Sequence, residues 1–211
     1  EFEKIDRIKS VFSEDHDQVR VETSAKPAPL FVLSMPRSGS TLVERILAAH
    51  SKVKAGGELE AMRWIGEMTD WRTFRASQGD LIQVRRKYLA SLPEVVGAEQ
   101  FVTDKMPANF KYIGLILHAL PDAKIVHVYR DARASCWSMY RRMFASVGMG
   151  YTYDLDDLVR YYHKYLELMA FWRERFPSRF LDMNYETLTE EPERESRRLI
   201  SHAGLDWEDA C

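Results

Sequence analysis

Residues 29–50 read PLFVLSMPRSGSTLVERILAAH and contain a strand, a sharp polar loop and a helix in succession. Residues 30–33 form a short apolar run, which is typical of a parallel strand covered on both faces. A segment rich in Pro, Ser and Gly follows. Apolar side chains then recur at helical spacing, with Glu44 and Arg45 on the opposite face. The stretch therefore predicts a strand–loop–helix unit of the kind found in α/β proteins.

The loop of this unit is predicted to bind an anion. A helix N-terminus leaves backbone N–H groups without partners, and the helix dipole adds positive potential there. Arg37 contributes a permanent charge, and hydroxyl donors come from Ser38, Ser40 and Thr41. The loop differs from the common nucleotide-triphosphate loop, because no Lys follows Gly39 and the cation precedes it. A solvated turn is the alternative interpretation of this segment taken alone.

Composition describes an ordinary globular chain whose binding sites must be local. The 211 residues suffice for one domain, and the formal net charge is -2, so no global basic field indicates nucleic acid or an anionic membrane. The two Cys have no paired spacing, which argues against a disulfide framework and fits a reducing compartment. The six His show no metal-ligand spacing, and no apolar run has transmembrane length. We therefore expect no metal site, no nucleic-acid partner and no membrane segment.

Strand and helix patterns alternate along the rest of the chain. A very short strand is predicted within residues 53–58, ahead of a Gly-Gly turn, and further strands at 101–104, 124–129 and 179–183. Helices are predicted at 59–68, 80–92, 109–120, 132–144, 154–176 and 192–203. This alternation predicts a P-loop-like, three-layer α/β/α fold with a central parallel sheet of about five strands. Ligands of such sheets bind at the carboxyl ends of the strands.

The chain is predicted to contain two parts. Residues 1–28 would form an N-terminal helix and a linker, and residues 29–211 the main domain. The strand at 124–129 ends at Arg130, which is followed eight residues later by Ser138 within the next predicted helix. Arg142 would lie one turn beyond Ser138 on the same helix face. This loop is a second candidate anion site, unless Arg130 is merely paired with an acid and Ser138 with its own helix.

The two loops together resemble those of sulfotransferases that use 3′-phosphoadenosine 5′-phosphosulfate (PAPS). In that family the first loop holds the 5′-phosphosulfate, and the second Arg–Ser pair holds the 3′-phosphate. Three further segments are similar to the branch of tyrosylprotein sulfotransferases and bacterial repeat-containing sulfotransferases: Gly57-Glu58, Asp104-Lys105-Met106-Pro107 and Asn184-Tyr185-Glu186. The resemblance runs from about Pro29 to the end of the chain.

The resemblance implies a role for each matching residue. Glu58 would be the general base, with Glu60 as its local rival, and Arg37 and Lys105 would flank the transferred group. The residues that would bind the donor are Arg37, Ser38, Gly39, Ser40, Thr41, Arg130, Ser138, Arg142 and Tyr185. PAPS would be the donor and 3′-phosphoadenosine 5′-phosphate (PAP) the product, without a metal. The family continues past the position of Cys211 with a segment that covers the nucleotide, so we expect the domain here to lack it.

Several questions stay open at this point. The acceptor hydroxyl could belong to a peptide tyrosine, a sugar or a small molecule, because acceptor pockets are built from variable loops. A homodimer is possible. The expected location is the cytoplasm, or the Golgi lumen if a removed anchor preceded Glu1. The alternative functions are a P-loop-type nucleotide-dependent kinase and a non-catalytic nucleotide-binding module.

Overall fold

The computed structural model describes residues 2–13, 27–71, 73–144 and 148–211. Within these residues the chain forms a five-stranded sheet in which every pairing is parallel. The strands are β1 (Ala28–Ser34), β2 (Val53–Lys54), β3 (Phe101–Asp104), β4 (Lys124–Tyr129) and β5 (Phe180–Asn184). Their order across the sheet is β2-β3-β1-β4-β5, which places β1 at the centre between β3 and β4. The predicted parallel sheet of about five strands is confirmed.

Helices connect the strands along the same described residues. They are α1 (Phe2–Ser13), α2 (Ser40–Ala49), α3 (Ala61–Met68), α4 (Gln78–Leu89), α5 (Ile113–Ala119), α6 (Ala132–Tyr140), α7 (Leu155–Arg175), α8 (Tyr185–Glu190) and α9 (Pro192–Ala203). Short 3₁₀ helices occur at Pro107–Tyr112 and Gly150–Tyr153. Asp154 caps α7 by accepting from the backbone N–H of Asp157 at 3.0 Å. Gly204 ends α9 with a left-handed φ of 77°.

The central strand alternates its side chains between two apolar cores. Leu30 and Val32 belong to a core that also contains residues of α2, α8 and α9. Phe31 and Leu33 belong to a larger core that contains residues of α1, α4, α5 and α7. Helices therefore cover both faces of the sheet, and the predicted three-layer α/β/α arrangement is confirmed. Because both faces are buried, the site must lie at the strand ends.

The N-terminal helix packs on the larger core. Ile5, Ile8 and Phe12 of α1 are fully buried. Most of the predicted linker falls at residues 14–26, which lie outside the described residues. The predicted division of the chain at residue 28 therefore stays a prediction. Among the described residues, no helix has the length and apolar character that crossing a bilayer requires.

One helix ends earlier than the sequence indicated. The helix predicted at 132–144 ends at Tyr140 as α6. The N–H of Arg142 donates to the carbonyl of Met139 at 3.0 Å, and this tighter bond closes the last turn. The prediction that Arg142 shares a helix face with Ser138 is therefore wrong. The sequence reading also missed α8, a helix of one and a half turns, which is too short to show apolar periodicity.

Candidate active site

The first anion loop has an unusual backbone conformation. It joins β1 to α2 and places Arg37 at φ 69° and Gly39 at φ 97°. A Cβ atom on Gly39 would overlap the ring of Tyr185, which lies directly against it. Glycine is therefore required at position 39 both by the left-handed backbone and by the contact with Tyr185. This contact joins the loop after β1 to the start of α8.

The second anion loop follows β4, which is the neighbour of β1 in the sheet, so the two loops meet. Arg37 Nε donates to Ser138 Oγ at 3.2 Å, and the hydroxyls of Ser38 and Ser135 are 3.4 Å apart. Arg130 Nη1 donates to the carbonyl oxygen of Arg37 at 3.4 Å. The predicted residues of the two loops are thus in direct contact at the carboxyl end of the sheet.

Arg130 is oriented by residues at the start of α8. Its guanidinium lies 4.8 Å from the centre of the Tyr185 ring, within cation–π range. Its Nε lies 3.8 Å from Glu186 Oε1, which also accepts from the N–H of Asp131 at 3.1 Å. Arg130 Nε is nevertheless buried and has no hydrogen-bond partner among the described residues. A buried donor of this kind is a ready partner for an anionic ligand.

Glu58 and Lys105 form a pair at the other end of the site. Lys105 Nζ donates to Glu58 Oε1 at 2.6 Å. The Lys105 side chain is 10% exposed and the Glu58 side chain 56% exposed, so the carboxylate faces solvent while the ammonium stem is covered. Glu58 follows the Gly56-Gly57 turn after β2, and Lys105 directly follows β3. The adjacent pairing of β2 with β3 brings these two predicted residues together.

Glu44 is buried, although helical spacing places it on the face of α2 opposite the apolar side chains. The residue is only 8% exposed. Its Oε1 accepts from the N–H of Gly57 at 3.0 Å and from Thr103 Oγ1 at 2.8 Å. Helical spacing placed Glu44 opposite the apolar side chains because it could not show that the turn before Glu58 lies against this part of α2.

Asp104 is the last residue of β3, directly precedes Lys105 and is fully buried. The hydroxyl of Tyr88 donates to Asp104 Oδ2 at 2.9 Å. Burial raises the pKa of Asp104 to about 7, and the Tyr88 hydroxyl offsets only part of that effect. The carboxyl is therefore partly protonated near neutral pH.

A cavity of about 340 Å³ lies where the two anion loops and the Glu58 turn converge. Eight of the predicted site residues line it: Arg37, Gly39, Ser40, Thr41, Glu58, Arg130, Arg142 and Tyr185. Of the others, Ser138 and Lys105 bond to lining residues, whereas Ser38 is buried behind the loop. Arg142 reaches the cavity from the turn after α6 rather than from the helix. Pro107 and Phe144 add apolar lining.

The charges around this cavity favour an anion. Three arginines line it, whereas Glu58 is the lining carboxylate and is already paired with Lys105. A second cavity, of about 450 Å³, lies between α3 and α4 and contains none of the predicted site residues. Of these two cavities in the described part of the chain, the first combines the predicted residues with a positive lining.

Sequence reasoning missed several residues that hold the site together. Glu44, Thr103 and Ser135 all contact predicted site residues or their turns through buried side chains. Three of their contacts join positions 47–97 residues apart, and the Glu44–Gly57 contact joins positions 13 residues apart. No local sequence pattern signals such contacts. Glu186 is visible in the sequence only as part of the Asn184-Tyr185-Glu186 motif. Its contact with the Arg130 loop depends on the pairing of β4 with β5.

Comparison with known proteins identifies relatives of the chain. Residues 29–209 match the model of the sulfotransferase family. A protein of Aquifex aeolicus is 34% identical, over 86% of this chain and 26% of that protein. Protein-tyrosine sulfotransferase 1 of Danio rerio is 29% identical, over 88% of this chain and 56% of that protein. The chain thus spans about a quarter of the length of the first relative and about half of the second.

Solved structures of sulfotransferases have the same fold. One of these neighbours is a mouse sulfotransferase complexed with PAP, which superposes with a TM-score of 0.54 at 13% identity. The match covers 96% of this chain and 65% of the mouse chain. The family match over most of the chain agrees with the two anion loops and the Glu58–Lys105 pair described above. The chain therefore belongs to the sulfotransferase family.

Proposed function

We propose that this chain transfers a sulfonate group from PAPS to an acceptor hydroxyl. The observation that carries the proposal is the cavity in which Arg37, Arg130 and Arg142 converge on the two anion loops. The donor has a negatively charged group at each end. A cavity whose described lining has three arginines and one carboxylate, already paired with Lys105, suits it. The family membership and the PAP complex of the mouse neighbour support the same donor.

The residues present fit the donor on two structural grounds. The buried Arg130 Nε, which has no hydrogen-bond partner in the described part of the chain, would be satisfied by an oxygen of the 3′-phosphate. A side chain at position 39 would displace the Tyr185 ring, so glycine there keeps this aromatic ring in the lining of the cavity. The loop amides, with Ser40 and Thr41, would hold the 5′-phosphosulfate, while Arg130 and Ser138 would hold the 3′-phosphate. Each charge-assisted hydrogen bond would contribute about 1.5–3 kcal/mol.

PAPS supplies a sulfonate already attached to a good leaving group. The acceptor oxygen forms the new S–O bond, the S–O bond to the 5′-phosphate breaks, and PAP leaves. Glu58 takes the proton of the acceptor hydroxyl. Arg37 and Lys105 stabilise the charge that develops on the sulfonate and on the departing phosphate oxygen, and positioning supplies much of the remaining acceleration.

The geometry of Glu58 suits a base that serves an incoming acceptor. Its carboxylate is 56% exposed, so a hydroxyl can approach it from solvent. Lys105 donates to it at 2.6 Å, which keeps the base and the cation at one point of the cavity. Glu60, the rival predicted from sequence, is instead engaged in an ion pair with Arg63 and does not line the cavity. These contacts favour Glu58 over Glu60.

A direct test is transfer from PAPS to a panel of acceptors. The protein is incubated with PAPS and, separately, a tyrosine-containing peptide, a sugar and a small alcohol, and PAP release and sulfated product are both measured. We expect equal amounts of PAP and sulfated product with at least one acceptor. Adenosine 5′-phosphosulfate, which lacks the 3′-phosphate, serves as the matched donor and should react far more slowly. Product formation from neither donor, or equal rates from both, would contradict the proposal.

A further inference from the structure

A buried hydrogen-bond network joins the first anion loop to the Glu58–Lys105 pair. Glu44 lies on α2, the helix that begins directly after the loop. Its Oε1 receives two hydrogen bonds, from the N–H of Gly57 at 3.0 Å and from Thr103 Oγ1 at 2.8 Å. A single carboxylate oxygen therefore connects α2, the turn before Glu58 and the end of β3.

The network fixes the turn from both sides. Thr103, which is fully buried, accepts from the N–H of Gly56 at 3.0 Å while it donates to Glu44. The N–H of Lys105 donates to the carbonyl of Gly57 at 2.8 Å. A Cβ atom on Gly56 would overlap the Thr103 carbonyl, so the turn lies in close contact with β3. The backbones that carry Glu58 and Lys105 are thus tied to one another.

We propose that Glu44 and Thr103 are positioning residues that set Glu58 and Lys105 relative to the first anion loop. The inference rests on the proposed function and extends it to residues that do not line the cavity. Gly57 has a φ of 70°, and nothing lies within 4 Å of where its Cβ would be, so no packing contact holds this residue on that side. The turn is held instead by the hydrogen bonds from Gly57 to Glu44 and from Gly56 to Thr103. A base displaced by about 1 Å can lose roughly 100-fold in rate.

Two pairs of variants test the network. Thr103→Val removes the bridging hydroxyl while keeping the shape of the side chain, and Thr103→Ser keeps the hydroxyl. Glu44→Leu removes the acceptor, and Glu44→Gln keeps a carbonyl oxygen that can receive both bonds. We expect Thr103→Val and Glu44→Leu to lower kcat roughly 10–100-fold while the affinity for PAP stays nearly constant. Thr103→Ser and Glu44→Gln should keep most of the wild-type activity.

A second readout does not depend on activity. Amide hydrogen exchange at Gly56 and Gly57 should accelerate in Thr103→Val and Glu44→Leu, while the amides of β1 and β4 stay protected. Inactivity of the wild-type protein would therefore contradict the proposed function alone, because the exchange rates would still decide on the network. Unchanged exchange at Gly56 and Gly57 in both variants would overturn it.

A double-mutant comparison separates positioning from a general effect on folding. If Thr103 acts through Glu58, Thr103→Val should lower kcat much less in a Glu58→Ala background than in the wild type. An equal loss of kcat in both backgrounds would contradict a positioning role. A lower Tm with kcat per folded molecule unchanged would assign the network to stability instead.

Discussion

The two sides of the cavity are held in place by different kinds of contact. On the donor side, the loops after β1 and β4 are shaped by positive-φ backbone at Arg37 and Gly39. Hydrogen bonds to serine hydroxyls, from Arg37 to Ser138 and between Ser38 and Ser135, join the two loops. On the transfer side, the turn at residues 56–58 and the end of β3 are held by the buried carboxyl of Glu44 and the buried hydroxyl of Thr103. The donor side contains a buried arginine nitrogen, Arg130 Nε, without a hydrogen-bond partner in the described part of the chain. On the transfer side, Glu58 and Lys105 pair with each other.

Because of this difference, we expect the donor side to determine nucleotide affinity and the transfer side to determine the rate of turnover. Arg130 Nε has no hydrogen-bond partner among the described residues, although Glu186 lies 3.8 Å away. This donor is available to an anionic ligand, so changes on the donor side should act mainly on affinity. Glu58 and Lys105 are neutralised by each other, so changes on the transfer side should act mainly on the rate of the chemical step.

Glu58→Ala should give the largest loss. Removing the base should lower kcat by roughly 10²–10⁴-fold, the usual contribution of a general base, while PAP affinity changes little. The measurement is steady-state kinetics with calorimetry on the same preparations. Glu58→Gln is the matched control, because it keeps the size of the side chain and can still accept from Lys105 but cannot take the proton. Wild-type turnover in either variant would remove Glu58 from the mechanism.

Arg130→Ala should act on the donor side. Loss of a charge-assisted contact of about 1.5–3 kcal/mol corresponds to roughly 10–150-fold weaker PAP binding. Arg141→Ala is the control, because Arg141 is exposed, stacks near Trp137 and does not line the cavity. Calorimetric titration of both variants measures the difference. Equal affinities in the two variants would show that Arg130 does not hold the 3′-phosphate.

Gly39→Ala tests whether backbone shape alone supports the donor side. The new Cβ would be strained at φ 97° and would displace the Tyr185 ring. Such strain and overpacking destabilise by about 1–3 kcal/mol, or roughly 2–4 °C in Tm per kcal/mol. Gly150→Ala is the control, since nothing lies within 4 Å of its Cβ position. If the two variants melt at the same temperature, the Gly39–Tyr185 contact does not constrain the loop.

Asp104→Asn should change how stability depends on pH. The folded pKa of about 7 lies above the unfolded value of about 3.9, so the folded state binds the proton more tightly. This carboxyl therefore makes the wild type less stable as pH rises from about 4 to about 7. In this range the free energy of unfolding falls by at most about 1.4 kcal/mol per pH unit, which corresponds to roughly 3–6 °C in Tm. Asp104→Asn should lack this pH dependence.

Thermal melts at about pH 5.5 and about pH 8 measure this difference between wild type and variant. Tyr88→Phe is the companion variant, because loss of the hydroxyl that favours the ionised form should raise the pKa of Asp104 further. Its loss of stability should therefore extend to higher pH. Identical pH dependence in wild type and Asp104→Asn would mean that Asp104 does not titrate with this raised pKa.

The comparison also explains what the sequence could predict. The donor side is built from loops that directly follow apolar strands, and strand, loop and helix are all visible in residues 29–50. The positions of Glu58 and Lys105 came from resemblance rather than from a local pattern. Glu44 was misplaced because helical spacing reports which face is apolar and cannot report a buried hydrogen bond to a distant turn. Arg142 was misplaced because the end of α6 depends on one tight hydrogen bond.

Calorimetric titration with PAP, alongside ATP with magnesium, tests the central claim most directly. The account predicts that PAP binds at least roughly 10-fold more tightly than magnesium-ATP, because only PAP offers a 3′-phosphate to Arg130 and Ser138. It also predicts that Arg130→Ala removes most of this preference. Equal or tighter binding of magnesium-ATP, or binding of neither nucleotide, would contradict the assignment of the cavity to a PAPS donor.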